Sequence, residues 1–205
     1  MSGPSVILLD YGVGNLRSVE RALVAAGATV ERRADVDVPD GAGLVLPGVG
    51  AFQAAKERLG GRFAELRTYA HADRPLLGIC LGMQLLFDES HEHGRHEGLG
   101  LIPGVVEALP KDVVVPHMGW SRISTGEVVY FCHSFGAKPG PFTTSTVEHG
   151  APWTAAVRRG RVRGYQFHPE KSGPTGIALL RGWLAGLSPT TTSPTTSPTP
   201  GGGAP

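Results

Sequence analysis

The sequence predicts an α/β fold: an open, mostly parallel sheet flanked by helices, with an antiparallel strand addition in the C-terminal half. Three observations predict it. In the first half, short uncharged apolar runs alternate with amphipathic stretches, the pattern of parallel strands joined by helices. The second half holds successive strand-like runs without room for long helices. Of 205 residues, 40% are hydrophobic and 18% charged, enough for one well-buried core and too few for two full-sized catalytic domains.

Taken in order, Val6 to Leu9 reads as a strand ending at Asp10. Asn15 is a plausible N-cap, Leu16, Val19, Leu23 and Ala26 follow at helical spacing, and Gly27 stops the helix. Thr29 to Glu31 is a second strand. Leu44 to Leu46 is a third, ending in Pro47-Gly48-Val49-Gly50 before a helical segment with Phe52, Ala55 and Leu59. Leu76 to Ile79 is a fourth, followed directly by a helix carrying Leu81, Leu85 and Leu86. The later strands are Val105 to Leu109, Val113 to Pro116, Val128 to Cys132, Thr143 to Val147, Ala155 to Arg158 and Val162 to Phe167. A last helix, Thr175 to Leu187, places Ile177, Leu180 and Leu184 on one face. Residues 4–187 therefore form the folded domain. Residues 188–205 contain only Ser, Thr, Pro, Gly and one Ala, too little apolar surface to offset ~1–2 kcal/mol of backbone entropy per residue, so a disordered tail is expected.

Composition excludes several classes of function. Lys+Arg 19 against Asp+Glu 18 gives a net charge of +1, so no global field draws in nucleic acid or an anionic membrane. The longest uncharged apolar stretch, Pro75 to Phe87, is too short to span ~30 Å of hydrocarbon. The N-terminus shows no cationic region or cleavage site, and a cytoplasmic location is expected. Cys80 and Cys132, the 2 cysteines, read as free thiols. Neither metal nor cofactor is expected. Gly12-Val13-Gly14 lacks the third glycine of a dinucleotide fingerprint, because Arg17 stands there. His91-Glu92-His93-Gly94-Arg95-His96 lacks zincin spacing and reads as a solvated loop. Arg158 to Arg163 reads as an exposed hairpin, without the aromatic interleaving of a nucleic-acid patch.

The chemistry concentrates at Gly78-Ile79-Cys80-Leu81-Gly82, where a buried strand turns into a helix. Glycines two residues either side let strand and helix approach closely at a strained turn that exposes the side chain between them. The helix N-terminus sets free N–H groups and positive potential beside the sulfur, a setting that activates a thiol. A thiol nucleophile needs a base, and the base needs an orienting group. Gln166-Phe167-His168-Pro169-Glu170 supplies both: proline holds the preceding residue extended, so His168 and Glu170 face one way. An oxyanion needs donors. The amide of Leu81 is one, and the Pro47-to-Gly50 loop is a source of a second.

Gly78-Ile-Cys80-Leu-Gly82-Met-Gln84 together with Phe167-His168-Pro169-Glu170 resembles the class I, triad-type glutamine amidotransferases, which have a flavodoxin-like fold. Within them, Pro47 to Phe52, Pro116-His-Met-Gly-Trp120, Tyr130-Phe-Cys-His-Ser-Phe135 and Gln166 to Ser172 look like the glutaminase subunits of imidazole glycerol phosphate synthases, from histidine biosynthesis. The resemblance covers essentially the whole domain and implies a Cys80, His168, Glu170 triad that hydrolyses glutamine through a glutamyl thioester. It assigns Gly48, Val49 and Gly50 to the glutamine and oxyanion loop, Gln84 to a side-chain substrate ligand, and His133, Ser134 and Phe135 to the segment holding the substrate's α-amino and carboxylate groups. It implies a partner, a (β/α)₈-barrel cyclase of ~250 residues acting in trans as the other half of a heterodimer, with Asn15, Trp120 and Lys171 near the interface. Two departures stand out: Ser121 to Glu127 is short, with Ser121 where asparagine is usual, and Cys132 replaces valine. Anthranilate-synthase-type amidotransferases and γ-glutamyl hydrolases are the nearest alternatives, opposed by the Pro116-to-Trp120 and Tyr130-to-Phe135 motifs. A flavodoxin-like signalling module using Asp10 leaves the coincidence of Cys80, His168 and Glu170 unexplained.

Overall fold

The computed structural model describes residues 3–187, and the expected tail disorder lies outside the described residues. In chain order the elements are β1 (Ser5–Leu9), α1 (Leu16–Ala25), β2 (Thr29–Arg33), β3 (Gly43–Leu46), α2 (Phe52–Leu59), α3 (Arg62–His71), β4 (Leu76–Ile79) and α4 (Leu81–Gln84). The remainder are β5 (Phe87–Ser90), β6 (His96–Glu97), β7 (Ile102–Ala108), β8 (His117–Arg122), β9 (Val128–His133), β10 (Phe135–Ala137), β11 (Thr143–Glu148), β12 (Pro152–Arg159), β13 (Val162–Tyr165) and α5 (Gly173–Leu184).

The central sheet has 7 strands in the order β11-β12-β13-β4-β3-β1-β2. From β13 to β2 all pairings are parallel, while β12 and β11 extend the other edge antiparallel. This is the expected mostly parallel sheet with its antiparallel addition. Strands β1, β3 and β4 are buried almost without alternation because helices cover both faces. Ile7, Leu9, Leu44, Leu46 and Leu76 pack with Phe52, Ala55 and Leu59 of α2 and Leu66 of α3. Val6, Leu8, Val45, Leu77 and Ile79 face the other way, onto Val19 and Leu23 of α1 and Leu180, Trp183 and Leu184 of α5. Each such aliphatic side chain contributes about 1.5–3 kcal/mol on burial. A 4-stranded sheet, β10-β7-β5-β6, and a β8-β9 ribbon complete the architecture.

Several elements differ from expectation. Val113 to Pro116 is not a strand: Val114 is 80% exposed, Pro116 has no N–H to give a ladder, and the strand begins at His117, pairing with Val128–His133. The helix after Cys80 is a single turn, and Leu85 and Leu86 lead into β5. Helix α3 and the short strands β5, β6 and β10 are additional to the expected elements. The last helix starts earlier, at Gly173, and ends at Leu184, with Leu187 in a following 3-10 turn.

Candidate active site

The carboxyl ends of β3, β4 and β13 converge on one spot, the place where open parallel sheets hold ligands. Cys80 sits there with φ 54° and ψ −109°, a left-handed conformation that costs a non-glycine residue on the order of 1–3 kcal/mol. The glycines around it explain how the turn is made. A Cβ on Gly82 would lie 1.9 Å from the Leu46 carbonyl oxygen, and one on Gly78 would lie 2.5 Å from that of Gly82. Strand, turn and helix therefore meet backbone to backbone. Helix α4, which Cys80 precedes, is one turn long, so it brings no long-helix field to the sulfur.

His168 is extended (φ −98°, ψ 96°), tied by its N–H to the Tyr130 carbonyl oxygen at 2.8 Å. The expected extended run stops there, because Pro169–Lys171 is a 3-10 turn. His168 Nδ1 and Glu170 Oε1 nevertheless lie 2.7 Å apart, with side chains only 4% and 3% exposed. Glu170 Oε2 has no hydrogen-bond partner among the described residues. Burial pulls the His168 pKa down, but hydrogen bonding to Cys80 and then to Glu170, with their charges, outweighs it and holds the group at about 10.

A cavity of about 330 Å³ opens over Cys80, lined by Val49, Gly50, Leu81, Gln84, Glu92, Pro116, Cys132, His133, Ser134, Phe135, His168 and Lys171. Gly48 does not line it. A Cβ at Gly48 would meet the Gly82 nitrogen at 2.9 Å, so this glycine lets the loop press against the elbow. Tyr11, buried beneath, donates its hydroxyl to the Pro47 carbonyl at 2.6 Å. Gln84 Nε2 donates to Phe135 O at 2.8 Å and to Gln166 Oε1 at 3.1 Å. Both donors' work is thus done by nitrogen, and Gln84 Oε1 remains as an acceptor. Gln166 Nε2 lies 3.8 Å from Cys80 Sγ.

The sequence reads Glu92 as part of a solvated loop, but the β5–β6 hairpin brings it to the cavity, where Oε2 accepts the Phe52 N–H at the start of α2 at 2.7 Å. A carboxylate between two histidines carried no sequence signal of this placement. Cys132, on the strand beside His133, also lines the cavity, with its carbonyl oxygen 3.9 Å from Cys80 Sγ.

The three residues expected near an interface lie at different depths. Asn15 caps α1, accepting the Ser18 N–H at 3.4 Å, and α1 packs on the Pro169–Lys171 turn. Lys171 lines the cavity and sets Nζ 5.6 Å from the Tyr130 ring centroid. Trp120 meets the same ring edge-on, at 6.0 Å.

Comparison with known proteins identifies the family. The model of the family "Glutamine amidotransferase class-I" matches residues 7–185. The Exiguobacterium sibiricum protein named imidazole glycerol phosphate synthase subunit HisH is 49% identical over 183 residues, covering 87% of this chain and 93% of its own. The Lacticaseibacillus casei protein of the same name is 46% identical, covering 86% and 93%. The Arabidopsis thaliana imidazole glycerol phosphate synthase hisHF is 41% identical over 92% of this chain but only 35% of its own. Among solved structures, a glutamine amidotransferase superposes with a TM-score of 0.71 at 21% identity, over 88% of this chain and 98% of that one. The chain belongs to the class I glutamine amidotransferases, in the family of imidazole glycerol phosphate synthase HisH subunits.

Proposed function

We propose that this chain is the glutaminase of an imidazole glycerol phosphate synthase, hydrolysing glutamine at Cys80 and passing ammonia to a separate cyclase subunit. The observation that carries the reading is a cysteine held at a positive-φ elbow, facing the same cavity as a histidine that is itself locked to a buried carboxylate, in a space sized for a small amino acid.

In this reading glutamine enters with its carboxamide over Cys80. His168, protonated at neutral pH with its pKa at about 10, already holds the thiol's proton as Sγ attacks the carbonyl carbon. Negative charge then develops on the carboxamide oxygen, where the Leu81 N–H and an N–H of the Val49-Gly50 loop stabilise it. His168, an imidazolium against Glu170, returns the proton to the departing nitrogen, and ammonia leaves a glutamyl thioester. Water, deprotonated by His168, then releases glutamate and restores the thiol. At the other end of the substrate, Gln84 Oε1 and the Glu92 carboxylate are acceptors suited to an α-ammonium. Ser134 and neighbouring backbone groups take the α-carboxylate.

Ammonia needs a dry exit and a consumer, and one face supports docking of the cyclase. Met118 and Trp120, two apart on β8, are 61% and 58% exposed, and the Tyr130 ring meets both Trp120 and the cavity-lining Lys171. A (β/α)₈-barrel partner in a heterodimer, contacted there and near Asn15, completes the synthase. Most of the Arabidopsis relative lies outside its match to this chain, which supports a second functional part. No described helix is long and apolar enough to cross a membrane, and a cytoplasmic location suits the reading. Glutamate release by the chain, alone and with a cyclase subunit plus its nucleotide, tests it. Thiol-dependent hydrolysis that disappears in Cys80→Ala is expected, whereas a wild-type rate in that variant overturns the reading.

A further inference from the structure

Two buried histidines outside the triad are unused by this chemistry. His117 on β8 and His133 on β9 stand directly opposite each other in the antiparallel ribbon, both almost wholly buried. Their contacts form a line. His133 Nδ1 lies 2.8 Å from the Phe135 carbonyl oxygen, His133 Nε2 lies 3.1 Å from His117 Nδ1, and His117 Nε2 lies 2.8 Å from Ser121 Oγ. The direction of every bond follows from its last member. A carbonyl oxygen only accepts, so His133 carries its proton on Nδ1. In a neutral ring Nε2 is then an acceptor, so His117 donates from Nδ1, and its own Nε2 accepts from the Ser121 hydroxyl. Burial, the principal cause, pushes both imidazoles down to about 4, so both rings are neutral as the line requires. The carbonyl at its end is the one that receives Gln84 Nε2.

We infer that His117 is a positioning residue for glutamine binding: the chain Ser121, His117, His133 fixes the Phe135 carbonyl, and through it the rotamer and amide orientation of Gln84. The inference deepens the glutaminase reading and rests on it for the identity of the substrate. Without a donor from His117, His133 is free to move its proton to Nε2, and the Phe135 carbonyl loses the bond that holds it. Gln84 then presents its amide in more than one orientation, which weakens ground-state binding while leaving Cys80 and His168 in place. The chain begins on the strand that carries Met118 and Trp120, so the exposed ribbon and the substrate pocket share one polar connection.

The test uses the full chain with its cyclase subunit and nucleotide. His117→Phe is expected to raise KM for glutamine on the order of tenfold, the loss of about one buried hydrogen bond, with kcat within about twofold of wild type. His117→Asn, whose amide nitrogen stands near the lost Nδ1, restores KM; a loss of shape alone would not distinguish the two. Long-range ¹H–¹⁵N spectra of the wild type should report His117 and His133 as neutral Nδ1–H tautomers, with His133 gaining the Nε2–H form in His117→Phe. An unchanged KM in a folded His117→Phe variant, or a wild-type His133 protonated on Nε2, overturns the inference. If His117→Phe does not fold, Ser121→Ala, which removes only the terminal donor, is expected to raise KM in the same direction, and an unchanged KM there counts against the chain. Absence of any glutaminase activity in the wild type overturns the functional reading instead, while the wild-type tautomers still judge the chain.

Discussion

Replacing Glu170 by glutamine isolates the carboxylate's charge from its geometry. Glutamine Oε1 can still accept from His168 Nδ1, so the 2.7 Å contact and the ring's orientation survive, but the negative charge does not. The His168 pKa stands at about 10 against an ordinary 6.5, with hydrogen bonds and charges from Cys80 and Glu170 opposing burial. Shared between two partners, Glu170's part is on the order of 2 kcal/mol, so His168 in Glu170→Gln should titrate about one to two pH units lower. A weaker base, with its imidazolium uncompensated in a buried site, should lower kcat by about 10²–10⁴-fold, with KM moving far less. Glutamate release with the cyclase subunit and nucleotide present, alongside ¹⁵N titration of His168, measures both. The stability effect has a definite sign. The folded pKa lies above the unfolded one, so the stabilisation is fully present below about pH 6.5 and is lost as pH rises through about 10. A Glu170→Gln enzyme with wild-type kcat and an unmoved His168 titration would refute the proposed role of this pair.

Three further outcomes are expected. His117 and His133 are held near 4 by burial, so their neutral forms support the fold above about pH 6.5, and that support is lost as pH falls toward 4. Thermal melts should show an acid-side loss on the order of 2 kcal/mol per histidine at pH 5, and His117→Phe should roughly halve it. Cys80 sits at positive φ, so Cys80→Gly should be more stable than Cys80→Ala by about 1 kcal/mol, the reverse of the usual order, as read by denaturant midpoint. Tyr11→Phe removes the hydroxyl donor to Pro47; it should cost about 1–2 kcal/mol of stability and lower kcat more than it raises KM, because it loosens the loop proposed to hold the oxyanion.

What the sequence made legible were features whose cause is local. The apolar runs of β1, β3 and β4, the Asn15 cap and the glycines around Cys80 each impose a backbone constraint within a few residues. Helix α3 escaped because Gly60 and Gly61 interrupt the helical pattern and only a narrow stripe, Leu66, Tyr69 and Ala70, is buried. Val113 to Pro116 is β-branched and apolar, but its exposure and its proline leave it outside the ladder. The cavity's far wall depends on long-range closure. Glu92 reaches the site because the β5–β6 hairpin folds back on the start of α2, and nothing near it in sequence signals that contact. The His117–His133 pairing is likewise a matter of strand register, invisible from two isolated histidines. Tyr11 behaves the same way, bonding to a loop 36 residues on.

The central claim is that glutamine's carboxamide carbon is presented to the Cys80 sulfur. A glutamine analogue carrying a diazoketone in place of the carboxamide tests it most directly: its diazo carbon, standing where the amide nitrogen would, loses dinitrogen and alkylates whichever nucleophile faces that end of the substrate. Peptide mapping should find one adduct, on Cys80, formed in step with loss of glutaminase activity and suppressed by excess glutamine. Inactivation with the adduct on Cys132 or elsewhere, or equal labelling of the Cys80→Ala variant, would contradict it.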